Sequence, residues 1–190
     1  MIAHPNPKRV AIIGGGEGAP LREVLKYNTL EKVIMIEIDK EMVELSREHL
    51  PFMNDCSNLV GRAKNCFDDE IVNVLYEDGR QWFVDHFSDL TAVKEEDKFD
   101  VIILDALDPE EKKKIADHLY TDDFFFTALS NALTEEGIFV VQIGTAPSIH
   151  DPKPDIGVYS RRETMFNLLE AHESTAAMLV YEESHCGFLE

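Results

Sequence analysis

Ile12-Ile13-Gly14-Gly15-Gly16-Glu17-Gly18-Ala19-Pro20-Leu21-Arg22-Glu23 carries an apolar strand through glycines, around one acidic side chain, and into a helix. Gly14, Gly16 and Ala19 fit the pattern G-x-G-x-x-G/A, in which missing side chains permit a tight turn, a close ligand approach and close packing of helix on strand. Pro20 suits the first helical turn because its φ is already fixed near the helical value. Loops of this kind hold nicotinamide, flavin and S-adenosyl ligands alike, and some only turn the chain, so the loop points to a fold before it points to a ligand.

The unit recurs on moving outward. Arg9 to Ile13 reads as a short buried strand and Leu21 to Tyr27 as the helix after it. Lys32 to Glu37 is a second apolar strand, followed by a helix from Lys40 to His49 that is expected to turn Met42, Val43 and Leu45 toward the core and to end near Pro51. Glu70 to Tyr76, Phe99 to Asp105 and Gly137 to Ile143 read as further strands, with helices at Gly79 to Phe87 and about Asp122 to Leu133. Thr145 to Gly157, with three prolines, reads as a loop before a helix around Arg161 to His172 and a strand around Ala177 to Tyr181. Strands alternating with helices predict an α/β fold: a mostly parallel sheet with helices on both faces and ligands at the carboxyl ends of the strands. Residues 1–190 read as one domain whose two ends look clipped, the last edge strand being expected after Gly187-Phe188.

Composition narrows the function classes. The apolar fraction of 44% is that of a globular protein, no apolar run approaches the roughly 20 residues that cross a bilayer, and Met1-Ile2-Ala3-His4-Pro5 lacks the character of a signal peptide, so a cytoplasmic protein is expected. Cys56, Cys66 and Cys186 show no C-x-x-C spacing, and the expectation is idle or buried thiols, with neither a disulfide framework nor a metal site. The formal charge of −19 argues against a nucleic-acid partner and suits a cationic small molecule. The runs Lys94 to Lys98 and Glu110 to Lys114 read as solvated surface.

Acidic residues fall where such a sheet would bind. Glu37 ends the second strand, 18 positions after Ala19, where a carboxylate can accept from both hydroxyls of a ribose; Asp39 beside it reads as a helix cap. Asp78-Gly79 could receive the exocyclic amine of an adenine or simply start a helix. Asp105-Ala106-Leu107-Asp108-Pro109 places two carboxylates three residues apart at the end of the fourth strand, able to take a proton and to hold a cationic amine, or to serve as cap and turn. Gln142 could line a pocket, whereas Tyr159 and Tyr181 are read first as core aromatics. No H-E-x-x-H and no G-x-S-x-G occurs, which removes support for metalloprotease and serine-hydrolase readings.

These residues resemble the aminopropyltransferases, the spermidine and spermine synthases. The likeness runs from His4-Pro5-Asn6-Pro7-Lys8-Arg9-Val10 through IIGGGEGAPLREVLKY and VIMIEIDKEMVELS to Glu77-Asp78-Gly79, FDVIILDALDP, Leu119-Tyr120 to Phe126 and Gly137 to Gln142, weakening after His150. The resemblance implies a Rossmann-like fold shared with S-adenosylmethionine methyltransferases, decarboxylated S-adenosylmethionine as co-substrate, no true cofactor and no metal. It implies transfer of an aminopropyl group to a polyamine amine (spermidine or putrescine) with release of methylthioadenosine. By position, the nucleoside substrate would meet Gly14, Gly16, Glu17, Glu37 and Asp78. Asp105 would be the catalytic base, and Asp108, Gln142 and Tyr181 would hold the amine. It also implies a homodimer for a longer protein with an N-terminal β-stranded domain.

The chemistry fits the residue types. A loop carboxylate attracts an ammonium and repels the carboxylate of intact S-adenosylmethionine, each by about 4 kcal/mol at 4 Å and an effective dielectric of 20, before desolvation. Family members typically show GGGDGG and DSSDP, whereas this chain has GGGEGA and DALDP, closer to the thermospermine synthase branch, and Glu110 to Lys114 stands where a small Gly-Pro segment is usual. The rival readings are a methyltransferase, a nicotinamide-dependent oxidoreductase, and a catalytically silent family member that binds polyamine or a partner enzyme.

Overall fold

A computed structural model describes residues 3–106, 118–142, 156–173 and 175–179, the side chains of 156–163 excepted. The strands are β1 (Arg9–Gly14), β2 (Lys32–Ile36), β3 (Val72–Leu75), β4 (Phe99–Asp105) and β5 (Leu133–Val141). The helices, in chain order, are α1 (Ala19–Val24), α2 (Lys40–His49), α3 (Gly79–Phe87), α4 (Asp123–Ala132) and α5 (Ile156–Ala171). The five strands form one parallel sheet in the order β3-β2-β1-β4-β5. β1 is its centre, paired with β2 on one side and β4 on the other.

Because successive side chains on a strand point to opposite faces, the apolar run of β1 divides between two cores. Ala11 and Ile13 join Ile34, Ile36, Phe83, Phe87, Ile102, Leu104, Phe125 and Leu129 under α3 and α4. Val10 and Ile12 join Val33, Met35, Leu21, Val24, Val43 and Phe67 under α1 and α2. A fully buried Ile or Leu in either core contributes about 1.5–3 kcal/mol through removal from water. Gly79, at the start of α3, lets helix approach strand closely: a Cβ there would lie 2.6 Å from Ile13 Cγ2.

Several elements differ from their sequence-based outlines. α1 ends at Val24, and Leu25 to Tyr27 form a turn closed by the Tyr27 N–H donating to the Val24 carbonyl at 3.1 Å. α2 buries Val43 and Ser46, while Met42 and Leu45 are 39% and 53% exposed. At about 100° per residue, Val43 and Ser46 lie about 60° apart, whereas Leu45 falls some 130° from their midline, so the three apolar residues cannot share one stripe. β5 begins at Leu133, directly after α4, and a register shift against β4 between Phe99 and Val101 absorbs the extra residues. The strand expected from Ala177 is not formed at 177–179, and its last positions lie outside the described residues.

The cysteines depart furthest. Cys56 and Cys66 form a disulfide, their Cα atoms 5.3 Å apart. The pair escapes motif reading because an irregular excursion brings it together: Asp55 and Asn65 make an isolated antiparallel bridge, and the Cys56 N–H donates to the Lys64 carbonyl at 2.8 Å. Cys186 lies outside the described residues.

Candidate active site

The parallel register brings the carboxyl ends of β1, β2, β4 and β5 to one edge of the sheet. Gly14 is paired with Asp105, Ile13 with Ile36 just before Glu37, and Leu104 with Val141 just before Gln142. The glycine loop sits over the centre of this edge. Gly14, Gly15 and Gly18 have φ of 85°, 75° and 90°, a region L side chains rarely enter. A Cβ on Gly14 would stand 2.1 Å from the Asp105 carbonyl oxygen, and the Gly15 N–H donates to that oxygen at 3.0 Å. The first glycine therefore permits loop and β4 to touch.

Two carboxylates flank the loop. From β2, Glu37 is 8% exposed; its Oε1 accepts from the Asp39 N–H at 2.9 Å, and its Oε2 lies 3.0 Å from where a Gly16 Cβ would be. From β4, the half-buried Asp105 has Oδ2 3.6 Å from the Cβ position of Gly15. Glu17, the next loop residue after Gly16, is half-buried, and no side chain among the described residues pairs with its carboxylate. Carboxylates gathered at one end of a sheet in this way suit a cationic ligand.

The other candidates divide. Asp39 caps α2, accepting from the Met42 N–H at 3.0 Å. Asp78 does cap α3, its Oδ1 accepting from the Gln81 N–H at 3.1 Å, and its exposed side chain stands at the β3 end of the edge. Gln142 is exposed and is tied to β4 by its N–H to the Leu104 carbonyl, 3.3 Å. Asp108 and Tyr181 lie outside the described residues, as do the side chain of Tyr159 and the run Glu110 to Lys114. The close packing that the glycine pattern places at Ala19 is found at Gly18, whose Cβ would fall 2.8 Å from Asn54 Cβ and 2.9 Å from Phe67 Cζ.

Sequence reading missed Gly15 as a site position, although three consecutive glycines were the available signal. It also missed Arg80, in the first turn of α3, which donates from Nε to Asp122 Oδ2 at 3.0 Å and so joins the starts of α3 and α4. Burial alone would raise the Asp122 carboxyl; the Arg80 guanidinium and the N–H groups of Phe125 and Phe124 outweigh it and hold the pKa below its ordinary value. A surface hollow of about 400 Å³ lined by Arg22, Lys26, Phe52, Asp55, Ser57 and Asn58 takes none of the edge residues. Among the described residues no three His, Cys, Asp or Glu side chains gather as a metal cluster.

Comparison with known proteins shows the family and the fold. Residues 1–155 match the family described as spermine/spermidine synthase domain. Polyamine aminopropyltransferase of Pyrobaculum calidifontis is 40% identical over 146 residues, which is 77% of this chain and 45% of that protein. Polyamine aminopropyltransferase 1 of Hyperthermus butylicus is 37% identical over 184 residues, 97% of this chain and 56% of the relative. The chain thus spans about half the length of the curated relatives it matches. A crystal structure of spermidine synthase in complex with the transition-state analogue AdoDATO superposes with a TM-score of 0.63 at 32% identity, covering 87% of this chain and 47% of that one. Human methyltransferase-like protein 13 in complex with SAH shares the fold alone, with a TM-score of 0.61 at 17% identity over 89% of this chain and 67% of that one.

Proposed function

The chain belongs to the spermine/spermidine synthase family, and on that premise we propose that it is the catalytic domain of an aminopropyltransferase. It would move the aminopropyl group of decarboxylated S-adenosylmethionine to an amine of spermidine or putrescine and release methylthioadenosine. The observation that supports this most directly is the placing of Glu37 and Asp105 on opposite sides of the glycine loop, one against Gly16 and the other against Gly15.

In this reading Glu37 receives the ribose hydroxyls, Asp78 the adenine amine, and Gly14 and Gly16 leave room for the nucleoside beside them. Glu17 meets the aminopropyl ammonium and disfavours a substrate that still carries a carboxylate. The attacking amine must be neutral, yet surrounding carboxylates favour its protonated form. Asp105 takes that proton as the C–N bond forms and the C–S bond breaks, the sulfonium becoming a neutral thioether. Asp108, Gln142 and Tyr181 orient the amine, and no metal or redox group takes part. The longer protein would act as a homodimer in the cytoplasm, the chain forming one domain of it.

Methylthioadenosine release from decarboxylated S-adenosylmethionine, measured with putrescine, spermidine and spermine in turn, tests the assignment. Asp105→Asn should slow release about 10²- to 10⁴-fold while nucleoside binding persists. Methylation supported by intact S-adenosylmethionine, with no release from the three amines in the full-length protein, would reject it.

A further inference from the structure

α1, which follows directly from the glycine loop, is gripped at three points by one neighbouring segment. At its start, Gly18 is its N-cap with no side-chain cap of its own, and its bare Cα faces Asn54 and Phe67 at the distances given above. In its middle, Arg22 donates to the Phe52 carbonyl. At its end, Arg62 donates from Nε to the Leu25 carbonyl at 3.2 Å and from Nη2 to the Tyr27 carbonyl at 3.0 Å. These are acceptors of the kind a helix C-terminus leaves unmet.

The gripping segment is itself built rigidly. Arg62, its side chain 8% exposed, pairs at 3.6 Å with Asp69, whose side chain is 1% exposed and also accepts from the N–H groups of Ala63 and Ile71. Asn54 is buried; its amide donates to the carbonyls of Ser46 and Leu50 at the end of α2, and its side-chain oxygen accepts from Asn65 at 2.8 Å. The Cys66 N–H donates to the Asn54 carbonyl at 2.9 Å, and the Cys56–Cys66 disulfide closes the ring that contains Arg62.

We propose that this disulfide-closed lobe sets the conformation of the glycine loop, with Asn54 and Arg62 as positioning residues and the Cys56–Cys66 bond as the element that keeps them in place. The link to ligand rests on the reading of the loop as a nucleoside site. A loop of four glycines in five positions has little conformational preference of its own, and a ligand binding to it must offset the entropy of ordering it. An external wall at Gly18 and a fixed far end at Leu25 remove that freedom beforehand. Both cysteines are fully buried, so a reductant reaches the bond only when the lobe opens.

Amide hydrogen exchange at Gly15 to Gly18 in the ligand-free chain, before and after treatment with a dithiol, tests the proposal. The reductant delivers two electrons and two protons, leaving two thiols and its own cyclic disulfide. Exchange at the loop should quicken on reduction, and likewise in Cys56→Ala/Cys66→Ala and in Arg62→Gln, with Arg62→Lys intermediate. Calorimetric affinity for methylthioadenosine should fall about 3- to 30-fold in the same forms. Reduced wild-type protein and Arg62→Gln decide the matter if the double cysteine variant does not fold. Loop exchange that stays unchanged in both overturns the proposal. Quickened exchange with no methylthioadenosine bound to either redox form supports the clamp and removes the nucleoside reading instead.

Discussion

A single methyl group separates Gly16 from alanine, and here it would land 3.0 Å from Glu37 Oε2 and 3.1 Å from Met42 Cγ. The first is the end of a side chain and the second belongs to a flexible, 39% exposed methionine, and both can shift by tenths of an ångström, so Gly16→Ala should cost under about 1 kcal/mol of stability. It displaces the carboxylate assigned to ribose, and methylthioadenosine affinity should fall about tenfold, a split to be read by urea titration beside calorimetry. Gly14→Ala should behave in the opposite sense. Its Cβ would meet backbone at 2.1 Å in a residue with φ of +85°, and a loss of about 2–4 kcal/mol in the urea titration is expected. Equal effects of the two substitutions on stability would contradict this division of labour. The pattern made both glycines legible, and the strand ends made Glu37 and Asp105 legible, because a parallel sheet sends its carboxyl ends to one edge. What Gly14 touches was not legible: its partner is 91 positions away and belongs to a strand that sequence periodicity cannot place beside β1. Arg62 and the Cys56–Cys66 bond were hidden for a related reason, since the segment that holds them has neither a period of two nor one of 3.6.

Between elements, the Arg80–Asp122 pair does for α3 and α4 what no helix could do alone. Asp122 is the N-cap of α4, accepting from the Phe125 N–H at 3.1 Å, and Arg80 neutralises it from the first turn of α3. The Asp122 pKa is lowered in the folded protein, so its stabilisation is fully present above the ordinary carboxylate pKa and is lost as pH falls through the folded value. Asp122→Asn should lower stability at neutral pH by about 1 kcal/mol and flatten the acid limb of the stability profile. Parallel acid limbs for variant and wild type in thermal melts between neutral and acidic pH would show that Asp122 is not the group responsible. α2 illustrates the limit of reading elements from pattern. Its boundaries and its Asp39 cap follow from the sequence, but the face it buries is fixed by contact with the sheet, which selects Val43 together with the polar Ser46 and leaves Met42 and Leu45 exposed.

For the molecule as a whole, a formal charge of −19 on 190 residues means net self-repulsion that the compact state must tolerate. Added salt screens it, the Debye length falling from about 30 Å at 0.01 M to about 8 Å at 0.15 M. The melting temperature should therefore rise over that range, and the association rate of a cationic amine should fall over the same range. A melting temperature independent of ionic strength in scanning calorimetry would mean that the acidic residues are already balanced locally, as Lys8–Glu31 and Arg47–Asp68 are. The sheet order has a consequence of a different kind. With β1 in the middle, the residues assigned to the nucleoside come from β1, β2 and the turn after β3, while those assigned to the amine come from β4, β5 and the chain beyond them. On the proposed reading, the two halves of the reaction would be encoded on opposite flanks of one strand and in successive stretches of the gene. Descendants of a protein so arranged could change the amine they accept by drift in the second stretch alone, leaving the nucleoside flank as an inherited constant.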